Sequence, residues 1–152
     1  MNKKYHLRTM TVYDYEQVQA LWMTIHGFAI RSIDDSKESI EHFIWRNPTT
    51  SIVAEIDGRI VGSILCGHDG RNGCFYHVCV LEEYRGHGIG GDMMNTCMDA
   101  LRAEHINKVS LVAFADNEIG NQFWHQEGWR LRSEVNCYEF NLNEENRISI
   151  NE

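Results

Sequence analysis

Hydrophobic and polar positions along this chain follow two periods, and the switch between them marks the elements. Tyr5 to Thr9 alternates as a short strand does. Val12, Tyr15, Val18, Leu21, Trp22 and Ile25 then recur at three and four residues, which predicts a helix, and Thr11 with Asp14 has the spacing of a capping box at its start. Gly27 stops that helix. Asp34-Asp35-Ser36 starts a second one, running to Arg46 with Ile40, Phe43 and Ile44 inward, and Asn47-Pro48 ends it. From Ser51 the period becomes two. Ile52–Ile56 and Arg59–Cys66 are strands joined by Asp57-Gly58, the strongest short hairpin signal, and a second reversal over residues 68–73 leads into a third antiparallel strand, Cys74 to Val80.

Asp92 to Glu104 returns to helical spacing, with Met93, Met94, Cys97, Met98 and Leu101 on one face. A strand over Lys108–Ala113 and a helix over Asn117–Glu127 follow, Gly128 closing the helix as its C′ residue. Trp129–Val135 and Asn136–Leu142 alternate well enough for two final strands. Residues 143–152 read as a polar tail that frays, leaving residues 1–142 as one domain. The order β-α-α-β-β-β-α-β-α-β-β is an α/β mixture, predominantly antiparallel, with one parallel step around the long helix.

Composition narrows the setting. The single proline, Pro48, and the lack of any repeat or Ser/Gly/Pro-rich run leave no candidate linker in a 152-residue chain. The basic start Met1-Asn2-Lys3-Lys4 is followed by mixed residues rather than an apolar run, so neither a signal peptide nor a membrane span is expected, and five dispersed cysteines fit reduced thiols in the cytoplasm. A net charge of −8 disfavours general nucleic-acid binding and makes a cationic or neutral substrate the easier partner.

The candidate chemistry centres on Val78-Cys79-Val80 running into Arg85-Gly86-His87-Gly88-Ile89-Gly90-Gly91, a strand, a glycine turn and a helix start. Unpartnered backbone N–H groups and the positive end of the helix macrodipole make such a turn an anion site. The glycines formally match a dinucleotide fingerprint, but the strand is not the first of the chain and the next one ends without an acidic residue. A P-loop is excluded, because no Lys-Ser or Lys-Thr pair follows.

Two stretches together resemble the GNAT superfamily of N-acetyltransferases. Arg85-Gly86-His87-Gly88-Ile89-Gly90 fits its Arg/Gln-x-x-Gly-x-Gly/Ala acyl-CoA motif, and Asn117 through Phe123-Trp124 to Gly128-Trp129 is similar to its second motif, one helix and one strand later. The resemblance implies a GNAT-like, mostly antiparallel sheet of about seven strands flanked by four helices, with a splayed central pair. It implies acetyl-CoA as co-substrate and direct transfer of its acetyl group to a primary amine of a small molecule or protein. The turn amides of Arg85 to Gly91 would hold the pyrophosphate, Val78, Cys79 and Val80 the pantetheine arm, and Asn117, with Phe123 and Trp124 beside it, would complete the cofactor site. A backbone N–H near Val80 would support the oxyanion.

The proton chemistry departs from the family pattern. Trp124 stands at the family's tyrosine position, and an indole N–H is no ordinary proton donor. The glutamate that some members use as base has no equivalent, since Val112 sits there. His77 is the candidate base, beside the expected thioester, the alternative being a structural sheet histidine. Tyr76 and Tyr138 are weaker candidates for returning a proton. His125 reads as an exposed helix histidine, and His26 and Arg31 as loop residues that could line an acceptor site. Strand parity places Tyr76, Val78 and Val80 on one face and Phe75, His77 and Cys79 on the other. Cys66, His68, His77 and Cys79 could cluster around zinc in one hairpin register, but the spacing is no recognised ribbon and the family needs no metal, so none is expected. Without the tyrosine, an acyl-CoA sensor with little activity is the alternative function. Neither membrane nor nucleic acid is an expected partner, while the final strands offer a homodimer contact.

Overall fold

A computed structural model describes residues 4–152. Strand β1 (His6–Thr9) leads through a 3-10 turn (Val12–Asp14) to helix α1 (Tyr15–Thr24), strand β2 (Ala29–Arg31) and helix α2 (Lys37–Arg46). Strands β3 (Ile52–Ile56), β4 (Arg59–His68) and β5 (Gly73–Val80) follow. Then come helix α3 (Ile89–Ala103), strand β6 (Val109–Ser110), helix α4 (Glu118–Gln126) and strand β7 (Ile148–Ile150). The main sheet has the order β1-β3-β4-β5-β6, antiparallel except for the last pair, and β2 with β7 forms a separate antiparallel pair. Among the described residues, the mixed, mostly antiparallel α/β fold with seven strands and four helices is thus the one the resemblance implies, although two of its strands come from other residues than expected.

Local chemistry accounts for the element ends. The Thr11 amide donates to Asp14 Oδ2 at 2.8 Å, and Arg8 grips both carboxylate oxygens of Asp14 at 2.8 Å, so the capping box is tied to β1. Ser36 caps α2 by accepting from the Ser39 amide. Asp57 and Gly58 both have positive φ, 49° and 78°, which matches the right-handed twist of a two-residue hairpin.

The sheet is covered on both faces, and β4 shows how. A Cβ on Gly62 would lie 2.9 Å from Met93 Cε, so α3 rests on bare backbone there, and Cys66 meets Cys97 of α3 on the same face. On the other face Trp22 of α1 donates its indole N–H to Ser63 Oγ at 3.3 Å, while Gly67 lies against Phe43 and Asn47. Trp22, Val53, Val61, Ile64, Met93 and Cys97 are fully buried between these layers.

Four expectations need correction. Trp129–Val135 and Asn136–Leu142 form no strands, and Leu131, Tyr138, Phe140 and Leu142 are exposed. Alternation specifies a strand only where a neighbouring edge receives it, and β6, two residues long rather than the six of Lys108–Ala113, offers almost none. The turn between the first two helices holds β2, and residues 148–150 do not fray but pair with it through Ala29↔Ile150, Ile30↔Ser149 and Arg31↔Ile148. Side-chain bonds from asparagines hold that pair, and these leave no periodicity to read. Finally, α3 begins at Ile89 rather than Asp92, because Gly88 is its N-cap. Among the described residues no helix is long and apolar enough to cross a membrane.

Leu101 of α3 packs directly onto β5, since a Cβ on Gly73 would meet its Cδ1 at 2.8 Å. Leu101→Ala should therefore lower the unfolding free energy by about 2–5 kcal/mol, read from urea transitions of unchanged slope.

Candidate active site

The geometry of the site begins with an irregularity in β5. Cys79 opposes Ser63 and Tyr76 opposes Leu65, so His77 and Val78 together face Ile64 alone. This is a β-bulge, and His77 carries it with φ of 49°, a left-handed conformation that β-carbon sterics make uncommon outside glycine. The extra residue overturns the simple parity. Phe75 faces the rings of Trp124 and Trp129 on the α4 side, whereas both Tyr76 and His77 face the other side, Tyr76 edge-on to Phe43 of α2.

His77 lies between the rings of Trp22 and Phe28, with centroids at 4.7 and 5.2 Å. Its Nε2 is 2.7 Å from Asp35 Oδ1, and the pair is largely shielded, with side-chain exposures of 18% and 8%. A carboxylate only accepts, so Nε2 carries a proton, and in the neutral imidazole Nδ1 is the atom with the lone pair. Asp35 is itself fixed. Its Oδ2 accepts from the Arg31 amide at 2.7 Å, and its carbonyl accepts from Tyr15 Oη at 2.7 Å. Asp35 was visible in the sequence only as part of a helix-start signal; nothing in its spacing to His77 announced a pair across forty-two positions.

Next along β5, Cys79 is buried against Ser63, their Sγ and Oγ 3.6 Å apart, and burial pushes its thiol up to about 12. Burial likewise raises the half-exposed Tyr76 phenol to about 12, while Tyr138 lies 87% exposed on the segment that forms no strand. Neither phenol is assembled with His77 by any ring contact or hydrogen bond described for the site. Arg31 approaches Glu139 at 3.6 Å instead of standing in an open loop.

Beyond Val80 the chain makes a 3-10 turn (Glu82–Tyr84) and enters the glycine stretch. Gly86 and Gly88 have φ of 80° and 85°, and a Cβ on either would meet nothing within 4 Å, so the turn is an open cradle at the N-terminus of the fifteen-residue α3. The Arg85 side chain is exposed, yet its Nε donates to the Val80 carbonyl at 2.9 Å and ties the turn to the end of β5. His87 bonds the Tyr84 carbonyl through Nδ1 at 3.2 Å. On the far side of the cradle a Cβ on Gly90 would touch Phe123 at 3.4 Å, and one on Gly91 would meet Glu127 at 3.3 Å, which brings α4 alongside.

Helix α4 is capped by Asn117, whose Oδ1 accepts from the Gly120 amide at 3.1 Å, and ends at Gly128 with φ of 89°. Trp124 packs among Phe75, Phe123 and Trp129, and Trp129 donates its indole N–H to Met94 Sδ. Between β5 and β6 the ladder is confined to Gly73↔Val109 and Cys74↔Ser110, after which β5 runs on to Val80 without it. The parallel strands therefore part beside Val78, Cys79 and Val80, with the glycine cradle at one end and His77 on the α1 side. The four residues considered for zinc are not brought together, because Cys66 meets Cys97 on the α3 face while His77 and Cys79 meet Asp35 and Ser63 on the other.

Comparison with known proteins gives a consistent answer. The model of the acetyltransferase (GNAT) family matches residues 15–129. An acetyltransferase of Sodalis glossinidius (strain morsitans) is 33% identical over 122 residues, covering 80% of this chain and 84% of the relative. Among solved structures, the PaiA N-acetyltransferase of Thermoplasma acidophilum, in complex with coenzyme A, superposes with a TM-score of 0.72 at 16% identity, covering 86% of this chain and 92% of that one. Ard1 of Thermoplasma volcanium gives a TM-score of 0.70 at 20% identity, covering 83% of this chain and 82% of that one.

All five cysteines are unpaired, and their environments differ enough to be counted in solution. At pH 8 an aromatic disulfide reagent should titrate Cys137 at once and half-buried Cys74, its thiol raised by burial, slowly. Cys66, Cys79 and Cys97 should react only after denaturation.

Proposed function

The chain belongs to the acetyltransferase (GNAT) family, and from that premise we propose that His77, oriented by Asp35, takes the proton from a primary amine as the amine attacks acetyl-CoA. The enzyme is an acetyl-CoA-dependent N-acetyltransferase. The finer assignment of its base rests on one observation: the 2.7 Å bond between His77 Nε2 and Asp35 Oδ1 at the bulge of β5. That bond leaves Nδ1 as the basic atom, and the surrounding rings of Trp22 and Phe28 limit the water that would otherwise compete for it.

The site suits the co-substrate on grounds of its own. An open glycine cradle at the start of a long helix matches a pyrophosphate, and the end of β5, parted from β6, matches an extended amide-bearing arm. The turn amides from Arg85 through Gly86, His87, Gly88, Ile89 and Gly90 to Gly91 hold the phosphates. Val78, Cys79 and Val80 receive the arm along the strand, and the amide near Val80 supports the oxygen of the attacked carbonyl. Asn117 and Phe123 close the arm's outer side. Trp124, an indole without a usable acidic proton, walls the cleft beside Phe75 rather than returning a proton.

In the transfer, a bond forms between the amine nitrogen and the acetyl carbon while the carbon–sulfur bond breaks. The amine's proton passes to His77 Nδ1, Asp35 stabilises the resulting imidazolium, and the departing thiolate takes its proton from solvent. Holding both reactants in one cleft supplies much of the acceleration. Unpaired thiols fit a reducing, cytoplasmic setting, and the exposed apolar side chains of residues 131–142 would suit a contact between two copies.

Release of thiol from acetyl-CoA, followed across a panel of small-molecule and peptide amines, tests the assignment against an acyl-CoA sensor. At least one primary amine should drive release; tight CoA binding with no amine-dependent release from any would favour the sensor. With an active amine in hand, His77→Gln should lower kcat by about 10²–10⁴-fold and alter the pH profile. An unchanged rate and profile would take His77 out of the mechanism.

A further inference from the structure

Both residues whose rings flank His77, and the residue before Asp35, are hydrogen-bonded to the last stretch of the chain. The Asn151 amide group Nδ2 donates to the carbonyls of Trp22 and Ile25 at 2.8 and 3.0 Å, and its backbone N–H donates to the Phe28 carbonyl at 2.9 Å. The Gly27 amide donates back to Asn151 at 2.9 Å. Trp22 and Phe28 are the two rings that flank the imidazole. Asn146 Oδ1 accepts from the amides of both Ile33 and Asp34 at 3.0 Å, and its Nδ2 donates to Asp34 Oδ2 at 2.8 Å, one residue before Asp35. Ser32 and Arg147 exchange two bonds of 2.9 Å between these anchors, and β7 pairs with β2 along the whole stretch.

These bonds are made by a segment that adds little to the core. Ile148 and Ile150 are half exposed, so burial of apolar surface does not explain why the segment is held. What it does supply is directional: side-chain bonds that satisfy the amides of Ile33 and Asp34 and give a second partner to the carbonyls of Trp22 and Ile25, which already accept from the amides of Ile25 and Phe28. We propose that residues 145–151 are a strap whose work is to position the His77–Asp35 pair, with Asn146 and Asn151 as positioning residues for acetyl transfer. Asn146 fixes the loop that carries Asp35, and Asn151 fixes the segments that carry Trp22 and Phe28.

The inference rests on the assignment of His77 as base, and a double-mutant cycle separates the two. Asn146→Ala, Asn151→Ala, Asp35→Asn and the double variant Asp35→Asn with Asn146→Ala are compared by steady-state kinetics at saturating amine, after circular dichroism and thermal melting establish that each folds. Each asparagine variant should lose about ten- to a hundredfold in kcat, the cost of a small misplacement of a reacting group. The KM for acetyl-CoA should stay at the parent value, because the glycine cradle belongs to the start of α3, apart from the strap. In the Asp35→Asn background, Asn146→Ala should cost at most about twofold more, since both act on one pair. If Asp35→Asn retains full kcat, the base assignment fails and the strap with it. If Asp35→Asn is slow but the asparagine variants keep parent kcat, raise the KM for acetyl-CoA instead, or multiply with Asp35→Asn, the strap is overturned while the base assignment stands.

Discussion

At His77 the backbone of β5 holds one residue more than its partner strand can match, and it does so at φ of 49°. Without that extra residue Phe75, His77 and Cys79 would share a face, and His77 would be turned toward α4 and its tryptophans. With it, His77 moves to the side of α1 and α2, where Asp35, Trp22 and Phe28 receive it. Such a conformation costs on the order of 1–3 kcal/mol, so the surroundings must over-determine it. Here a carboxylate and two rings contact the imidazole directly, and hydrogen bonds from Asn151 hold the backbone on which those rings sit.

The division of the site follows from the same irregularity. Helix α3 rests on one face of the sheet and brings the glycine cradle to the end of β5, while α1 and α2 cover the other face and bring the candidate base. The strand between them is β5, whose edge beyond Cys74 has no ladder to β6. In the proposed mechanism donor and acceptor meet across that one strand, and Asp35, forty-two positions away in the chain, holds the base. Arg85, bonded to the Val80 carbonyl, links the cradle to the strand end.

The sequence was most readable where a signal is local. The capping box of Thr11 and Asp14, the Asp57-Gly58 turn, the glycine turn before α3 and the closure of α4 by Gly128 depend on residues within a few positions of one another, and all four are present. Periodicity failed where a partner was required. The stretch from Trp129 to Leu142 alternates correctly but has no edge to join, whereas Ile148–Ile150 has too short a pattern to notice and yet pairs with β2. The bulge at His77 could not be inferred from parity, which assumes an unbroken ladder. Asp35 was hidden for a related reason: a contact across the sheet surface depends on the loop between β2 and α2, and that loop is shaped by asparagines over a hundred residues away.

With His77 as the base, the amine has to meet the acetyl group on the α1 side of β5. A crystal structure with CoA and an active amine, or with the two joined as a bisubstrate analogue, tests it most directly. The acceptor nitrogen should lie within hydrogen-bond reach of His77 Nδ1, directly or through one water. An acceptor nitrogen on the opposite face, against Trp124 and out of reach of the imidazole, would contradict it.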